Sequence, residues 1–485
     1  MAAGIGGRAL SRVLWAWLFA GLLVFPAQAR YGGGAGTAAQ PYLISTASQL
    51  NAIGSAPSDW DKCFKLTANI DMRDVGPTQF KKVGTPQDGP FTGVFDGNYK
   101  TISNFRLSSE AGSYLGLFGI VDAAEARIVN VTLLDPNVAD DGARYVAALV
   151  GLLSSGTVAN CHVRGGSITG MGLVGGLVGE NMDGTMTGCT VVATVHGVSR
   201  VGGLLGQSLF GDVTQCQAVG EVLGETSSWT IGGLIGESQS GTVTACRAGS
   251  NVQGGDRVGG LIGDNIGGLA DRCYAEGTVR GTSNVGGLIG QNTAGTATDC
   301  YAVAAVTAVK YAGGLVGYNG PNCNCTVVHP SLIARCYAAG PVKSANAGGL
   351  VAVNLRSNVE ASFWDLKATG CTTSDGGVGK TAAQMSGLIT YTSAGWDFVG
   401  EKTNGTKDFW CLPSRTSYPR LAWERTLADF NGDNRVDFRD YALLAKRWLQ
   451  VDTGFWSGGR YVAPDGILDF DDLANLADLW LAHRW

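Results

Sequence analysis

The sequence predicts a mostly β protein wound as a solenoid, and three observations predict it. A hexapeptide of the form V-G-G-L-hydrophobic-G returns about every 27 residues, a cysteine follows its first position at a fixed distance, and an alternating pattern follows each cysteine. The hexapeptide occupies 174–179, 201–206, 231–236, 258–263 and 285–290, with variants starting at Val146, Ala312 and Ala347. Successive first positions are 28, 27, 30, 27, 27, 27 and 35 residues apart. A period of this size is the mark of stacked supersecondary units rather than of an ordinary globular domain.

Each unit reads as one coil. Six cysteines lie 15 residues after the first hexapeptide position: Cys161, Cys189, Cys216, Cys246, Cys273 and Cys300. In the seventh copy an insertion around 321–329 delays the cysteine to Cys336, and in the eighth Ser362 takes the place. Residues two, four and six after the cysteine are small or apolar, as in Ala218, Gly220 and Val222 or Ala275, Gly277 and Val279. Period two over seven residues predicts a strand with one buried face. A helix is excluded because apolar positions do not recur at three and four and glycine is too frequent. Stacking coils about 4.8 Å apart would line the cysteines up as an internal column of buried thiols, with inter-coil disulfides as the alternative. Cys323, Cys325 and His329 fall in the insertion, where a surface loop with a local or partner disulfide competes with a metal site.

Composition bounds the function classes. The chain has 74 glycines among 485 residues, 15% charged residues and a net charge of −5. Acidic and basic residues are interspersed, so no basic face is offered to nucleic acid and no basic amphipathic helix to a membrane. Arg8 and Arg12 precede an apolar run at 13–25 that ends in Ala27-Gln28-Ala29, the layout of a cleaved secretory signal peptide at 1–29. Thirteen apolar residues fall short of the ~20 a span needs, so the mature chain is expected to have no membrane span and to be secreted or held at the cell surface. The repeats resemble the GLUG motif of bacterial surface and exported proteins, over about 146–352. The resemblance implies a right-handed parallel β-helix with end caps and no defined activity. On it the chain divides into an N-terminal cap with first coils (30–140), the repeats (141–366) and a C-terminal cap (367–424).

Past Trp423 glycine thins and carboxylate-bearing, helix-forming sequence takes over, so 425–485 reads as a second domain. Asp429, Asn431, Asp433, Arg435, Asp437 and Asp440 stand at positions 1, 3, 5, 7, 9 and 12 of a loop. Alternating side-chain oxygens plus the carbonyl at position 7 are the ligand set that calcium requires. Asn434 takes the position usually held by glycine, and asparagine tolerates the positive φ needed there. With Asp at position 12 and a single following helix at 441–449, the loop resembles a small all-α dockerin. A degenerate second copy carries Asp465, Asp469 and Asp472, but Tyr461 and Ala463 stand where its first two ligands would be. The resemblance implies a cohesin-like partner, in assemblies that attack polysaccharide, although Phe438-Arg439 and Phe470-Asp471 depart from the usual partner-reading pair.

For the solenoid itself, the residue after each cysteine becomes aromatic on four consecutive coils, at Tyr274, Tyr301, Tyr337 and Phe363. Facing outward, this column is the candidate ligand-binding surface for polysaccharide or a cell-surface partner, with a purely structural stack as the competing reading. No G-x-S-x-G, H-E-x-x-H or phosphate loop occurs, and only His162, His196, His329 and His483 are available. A non-catalytic binding or scaffold protein is therefore the expectation. The alternative is a secreted polysaccharide-degrading enzyme, a β-helix lyase or glycoside hydrolase, built from carboxylates that sequence alone does not pair.

Overall fold

The computed structural model describes residues 30–108, 113–321, 329–413 and 417–424. The expected signal peptide (1–29), Cys323 and Cys325, and the expected calcium module (425–485) lie outside the described residues. The described chain winds into a parallel β-solenoid of about 11 turns. Stacking begins at Tyr42–Ile44, paired in parallel with Phe64–Leu66.

The coil around Cys273 shows how sequence sets the path. A three-residue strand, Leu269–Asp271, ends at Arg272, whose φ of 52° turns the chain and drives the next side chain inward. Tyr274–Ala275 follows, then Thr278–Gly281, Ser283–Gly286 and Ile289–Thr293. Each pairs with its equivalent one coil on, in the registers Tyr274↔Tyr301, Val279↔Val306, Val285↔Ala312 and Ile289↔Val316. The unbroken seven-residue strand expected after cysteine exists after Cys216, within Gln217–Gly232, but not here. Gly277, with φ 95°, lies in the gap between the two pieces, whereas Gly220 at the same place in its coil has φ 128° within an unbroken strand.

Inside, Ala270, Cys273, Ala275, Val279, Val285, Leu288 and Ile289 are buried, and each stacks on the equivalent side chains of adjacent coils. The result is one apolar cluster running from Tyr31 to Trp364. The hexapeptide glycines answer to close approach of backbones. A methyl at Gly286 would collide with the carbonyl oxygen of Ile289, one at Gly287 with that of Gly314 on the next coil, and one at Gly290 with Gly263 on the previous coil. Two strands cross there with no side chain between them, which only glycine permits.

Two interior columns are polar. Ladder cysteines are free and buried. Their sulfurs also bond the backbone: Cys246 Sγ donates to the Thr244 carbonyl at 3.2 Å and accepts from the Cys216 N–H at 3.3 Å. The same link joins Cys246 to Cys273, Cys273 to Cys300, and Cys300 to Cys336. Ser362 completes the series, its Oγ accepting from Cys336 N–H at 3.0 Å. The thiols are thus bonding groups and not only small apolar fillers. At the next corner Asn265, Asn292, Asn319 and Asn354 form an amide ladder, each Nδ2 donating to the next Oδ1 at 2.8–2.9 Å.

Aromatic side chains fill the N-terminal end: Trp60, Phe64, Phe91, Phe95 and Phe118 are buried, and Trp60 Nε1 donates to the Ile53 carbonyl of the helix Ala47–Gly54 at 2.8 Å. At the other end Val378–Lys380 adds a further parallel strand to Phe363–Asp365. Short helices at Ala382–Met385 and Leu388–Thr392 follow, then the antiparallel pair of Trp410–Cys411 with Arg420–Leu421.

Candidate functional site

The aromatic column forms as the register predicts but is not a free surface. Tyr274, Tyr301 and Tyr337 stack with centroids 4.9 Å apart and planes within 1°. They project outward from the coils, in a cluster separate from the core, and residues 385–423 cover them. Tyr274 retains 6% of its accessible surface and Tyr337 1%, with Tyr301 and Phe363 between these values. This corrects the expectation that Tyr274, Tyr301, Tyr337 and Phe363 offer a ligand surface. The physical reason is that the chain doubles back after the last coil and lays Trp396, Trp410 and Trp423 over the rings.

Polar groups at the rim fix this cover. Trp396 Nε1 donates to the Ala361 carbonyl at 2.8 Å, Trp410 Nε1 to Asp299 Oδ1 at 3.1 Å, and Trp423 Nε1 to the Arg272 carbonyl at 2.8 Å. Asp299 is itself clamped by Arg335, whose Nη2 lies 2.7 Å from Oδ2. The Tyr337 hydroxyl donates to the Pro419 carbonyl at 2.7 Å, and that of Tyr301 to Glu424 Oε2 at 2.8 Å. The cover therefore runs from the coil of Phe363 back to that of Tyr274. Burial pushes the Glu424 carboxyl up to about 7 and the Tyr274 hydroxyl up to about 12.

A second row, missed in the sequence, runs along the hexapeptide flank. One residue past each hexapeptide, Glu180, Gln207, Glu237, Asp264 and Gln291 pair in register on consecutive coils. Glu237 receives Gln207 Nε2 at 2.6 Å and lies 3.1 Å from Arg200 Nε, while Asp264 Oδ2 lies 3.2 Å from Arg257 Nη1. Burial pushes Asp264 up to about 7 and raises Glu180 as well. The row brings carboxylates together, but it shields them: Asp264 is 1% exposed beneath Arg257. The fixed offset from the hexapeptide was the signal that would have found it.

The calcium ligands expected at Asp429, Asn431, Asp433, Arg435, Asp437 and Asp440, and at Asp465, Asp469 and Asp472, fall outside the described residues. Among the described residues no group of three or more His, Cys, Asp or Glu side chains is placed to hold a metal ion.

Known proteins resemble parts of this chain. The GLUG motif matches residues 172–195, which span the corner and the long strand of one coil. Halomucin of Haloquadratum walsbyi is 34% identical over 154 residues, 30% of this chain and 2% of that protein. A Gly-rich membrane protein of Evansella cellulosilytica is 32% identical over 140 residues, 28% of this chain and 16% of that protein. The chain thus spans only a small fraction of either relative. Among solved structures, one attributed to an immunoglobulin A1 protease of Bacteroides ovatus covers 81% of this chain and 96% of its own, at 21% identity and a TM-score of 0.34. Another, an IgA1 protease, covers 66% of this chain and 21% of its own, at 14% identity and a TM-score of 0.32.

Proposed function

We propose that this is an exported, non-catalytic scaffold: a stiff solenoid that carries a calcium-dependent, dockerin-like module (425–485) to a cohesin-type or cell-surface partner. The observation that carries the reading is the path of the cap. Because Trp423 is tied to Arg272 and Glu424 to Tyr301, the cap brings the chain at Glu424 to the flank of the solenoid and not to its tip. An exit on the flank of a rod suits a module that docks to a second protein. Export is supported by the signal-like start at 1–29 and by the names of the two relatives, a halomucin and a Gly-rich membrane protein. The shielding of Glu237 and Asp264 by arginines supports a binding role over hydrolysis, which needs carboxylates open to substrate.

The test is capture from the producing cells with the full chain as bait, in calcium and in chelator. Recovery of a cohesin-like protein in calcium alone is the expected result. Equal recovery in chelator, or release of reducing sugar from polysaccharide by the purified chain, overturns the reading.

A further inference from the structure

One coil is built differently from its neighbours, and the difference displays a tryptophan. Along the strand Gln217–Gly232 the register runs Gly197↔Gly224 and then Ser199↔Trp229. The single residue Val198 is therefore matched by four, 225–228, and this accounts for the 30-residue step in the repeat. The bulge is anchored. Ser228 is buried, its Oγ donates to the Glu225 carbonyl at 2.6 Å and accepts from the Gly255 N–H at 3.1 Å. A methyl at Gly255 would strike the carbonyls of Thr226 and Ser228, so the Gly254-Gly255 pair of the next coil is the seat on which the bulge rests.

Trp229, at the end of this bulge, is 51% exposed. Its column holds Gly172, Ser199, Asp256 and Ser283 on the neighbouring coils, none of which packs an indole. Burying a tryptophan is among the largest single apolar gains available to a fold, so one held out on an anchored bulge is displayed and not packed. Arg200 and Arg257 follow Ser199 and Asp256 on the two flanking coils, with φ of 51° and 54°. Asp264 and Asp256 lie 3.2 and 3.7 Å from Arg257, and Glu237 lies 3.1 Å from Arg200. No hydrogen bond among the described residues engages the terminal nitrogens of Arg200. By register Ser199 and Asp256 flank Trp229 on the two neighbouring coils, so a hydroxyl and a carboxylate stand on either side of it at about one coil spacing, ~4.8 Å.

We propose that Trp229, Arg200, Asp256 and Arg257 form a binding site for pyranose units of a neutral glycan. The C–H face of a sugar ring stacks on the indole while its hydroxyls bond the guanidinium and carboxylate groups beside it. Charge decides against a polyanion, because two arginines face Glu237, Asp256 and Asp264. A protein partner would want an apolar surround to the tryptophan, whereas 225–227 and Ser199 are polar and exposed or half-exposed. The proposal does not depend on the calcium module.

The test is affinity electrophoresis of the full chain through gels containing hydroxyethyl cellulose, xylan or galactomannan, with polygalacturonate as the anionic arm, in calcium and in chelator. Retardation by at least one neutral glycan, unchanged by chelator, is expected. Trp229→Ala should weaken it at least tenfold with an unaltered circular dichroism spectrum, and Trp229→Phe should restore part of it. Tyr99→Ala, at another exposed aromatic, should have no effect. Retardation by polygalacturonate alone, by no glycan, or to the same extent in Trp229→Ala overturns the proposal. Retardation abolished by chelator moves binding to 425–485 and overturns it too, without touching the docking reading.

Discussion

The Tyr301 hydroxyl donates a 2.8 Å hydrogen bond to Glu424 Oε2, joining residues 123 apart in sequence at the point where the chain leaves the solenoid. Glu424 also accepts from the Leu421 N–H at 2.7 Å, and its side chain is 4% exposed. The cover over the aromatic column therefore ends on a single buried carboxyl.

That carboxyl makes the cover pH-dependent. Its ordinary value is 4.5 and burial raises it to about 7, so the folded state binds the proton more tightly than the unfolded one. The stabilisation is complete below pH 4.5 and is lost as pH rises through about 7, an effect on the order of 2–3 kcal/mol. The hydrogen-exchange protection of residues 417–424, corrected for the intrinsic pH dependence of amide exchange, should be greater at pH 5 than at pH 8. Glu424→Gln, which still accepts from Tyr301, should abolish the difference at this segment. Asp264 titrates in the same window, and its contribution should survive the substitution. A pH-independent wild-type segment would refute the assignment.

The cysteine column predicts an order of tolerance. Cys246→Ser should cost little, because Ser362 already fills the equivalent place with the same bonds to Glu360 and Cys336. Cys246→Ala leaves the buried Cys216 N–H and Thr244 carbonyl without the sulfur, a loss of about 1–3 kcal/mol. Urea denaturation ranks the two, and an alanine variant as stable as serine would mean the thiols only fill space. Native alkylation should leave Cys189, Cys216, Cys246, Cys273 and Cys300 unmodified, and rapid labelling of these would contradict their burial.

The coil was legible because its constraints are local and repeated: the glycine corner, the inward cysteine and the alternating strand recur at fixed offsets. The amide ladder was legible in principle, since Asn265, Asn292 and Asn319 share one offset. The outward direction of the tyrosines was also legible. Their burial was not, because it depends on where 385–423 travel after the last coil, a contact between residues more than 100 apart such as Trp410 and Asp299. The tryptophan site was visible only as a three-residue irregularity, which reads as noise until Gly255 is seen beneath it.

The amide ladder ends at a correctable position. Asn265 Oδ1 has no partner, and the place one coil back is Ser238, whose Oγ has none either. Gly241 follows Ser238 as Gly268 follows Asn265, so the turn suits an asparagine. Ser238→Asn should donate to Asn265 Oδ1 as Asn265 does to Asn292, and should raise stability by about 1 kcal/mol. Asn292→Leu should do the reverse, by more than 2 kcal/mol, because it strands buried partners on both sides. Thermal melting decides both, and a less stable Ser238→Asn would show that the corner has no room.

The remaining prediction concerns 425–485. On the proposed reading a module of ~60 residues would have a small core, and Asp429, Asp433, Asp437 and Asp440 would crowd like charges into one loop and repel one another without a cation. Calcium would remove the repulsion, and because an unfolded chain has no preformed site, the binding free energy would become folding free energy. Calorimetry of the full chain should show a transition for this segment in calcium that disappears in chelator. The solenoid transition should persist, since coil stacking needs no metal. Asp433→Ala should mimic the chelator, and Asp469→Ala should do so only if the degenerate second loop also binds. The cap gives an internal control: hydrogen exchange at Trp410 and Leu421 should not change with calcium, because their N–H groups donate to the Asp397 carbonyl and to Glu424 Oε1, neither of them an expected calcium ligand. A segment equally stable in both conditions would return these carboxylates to the status of a solvated surface.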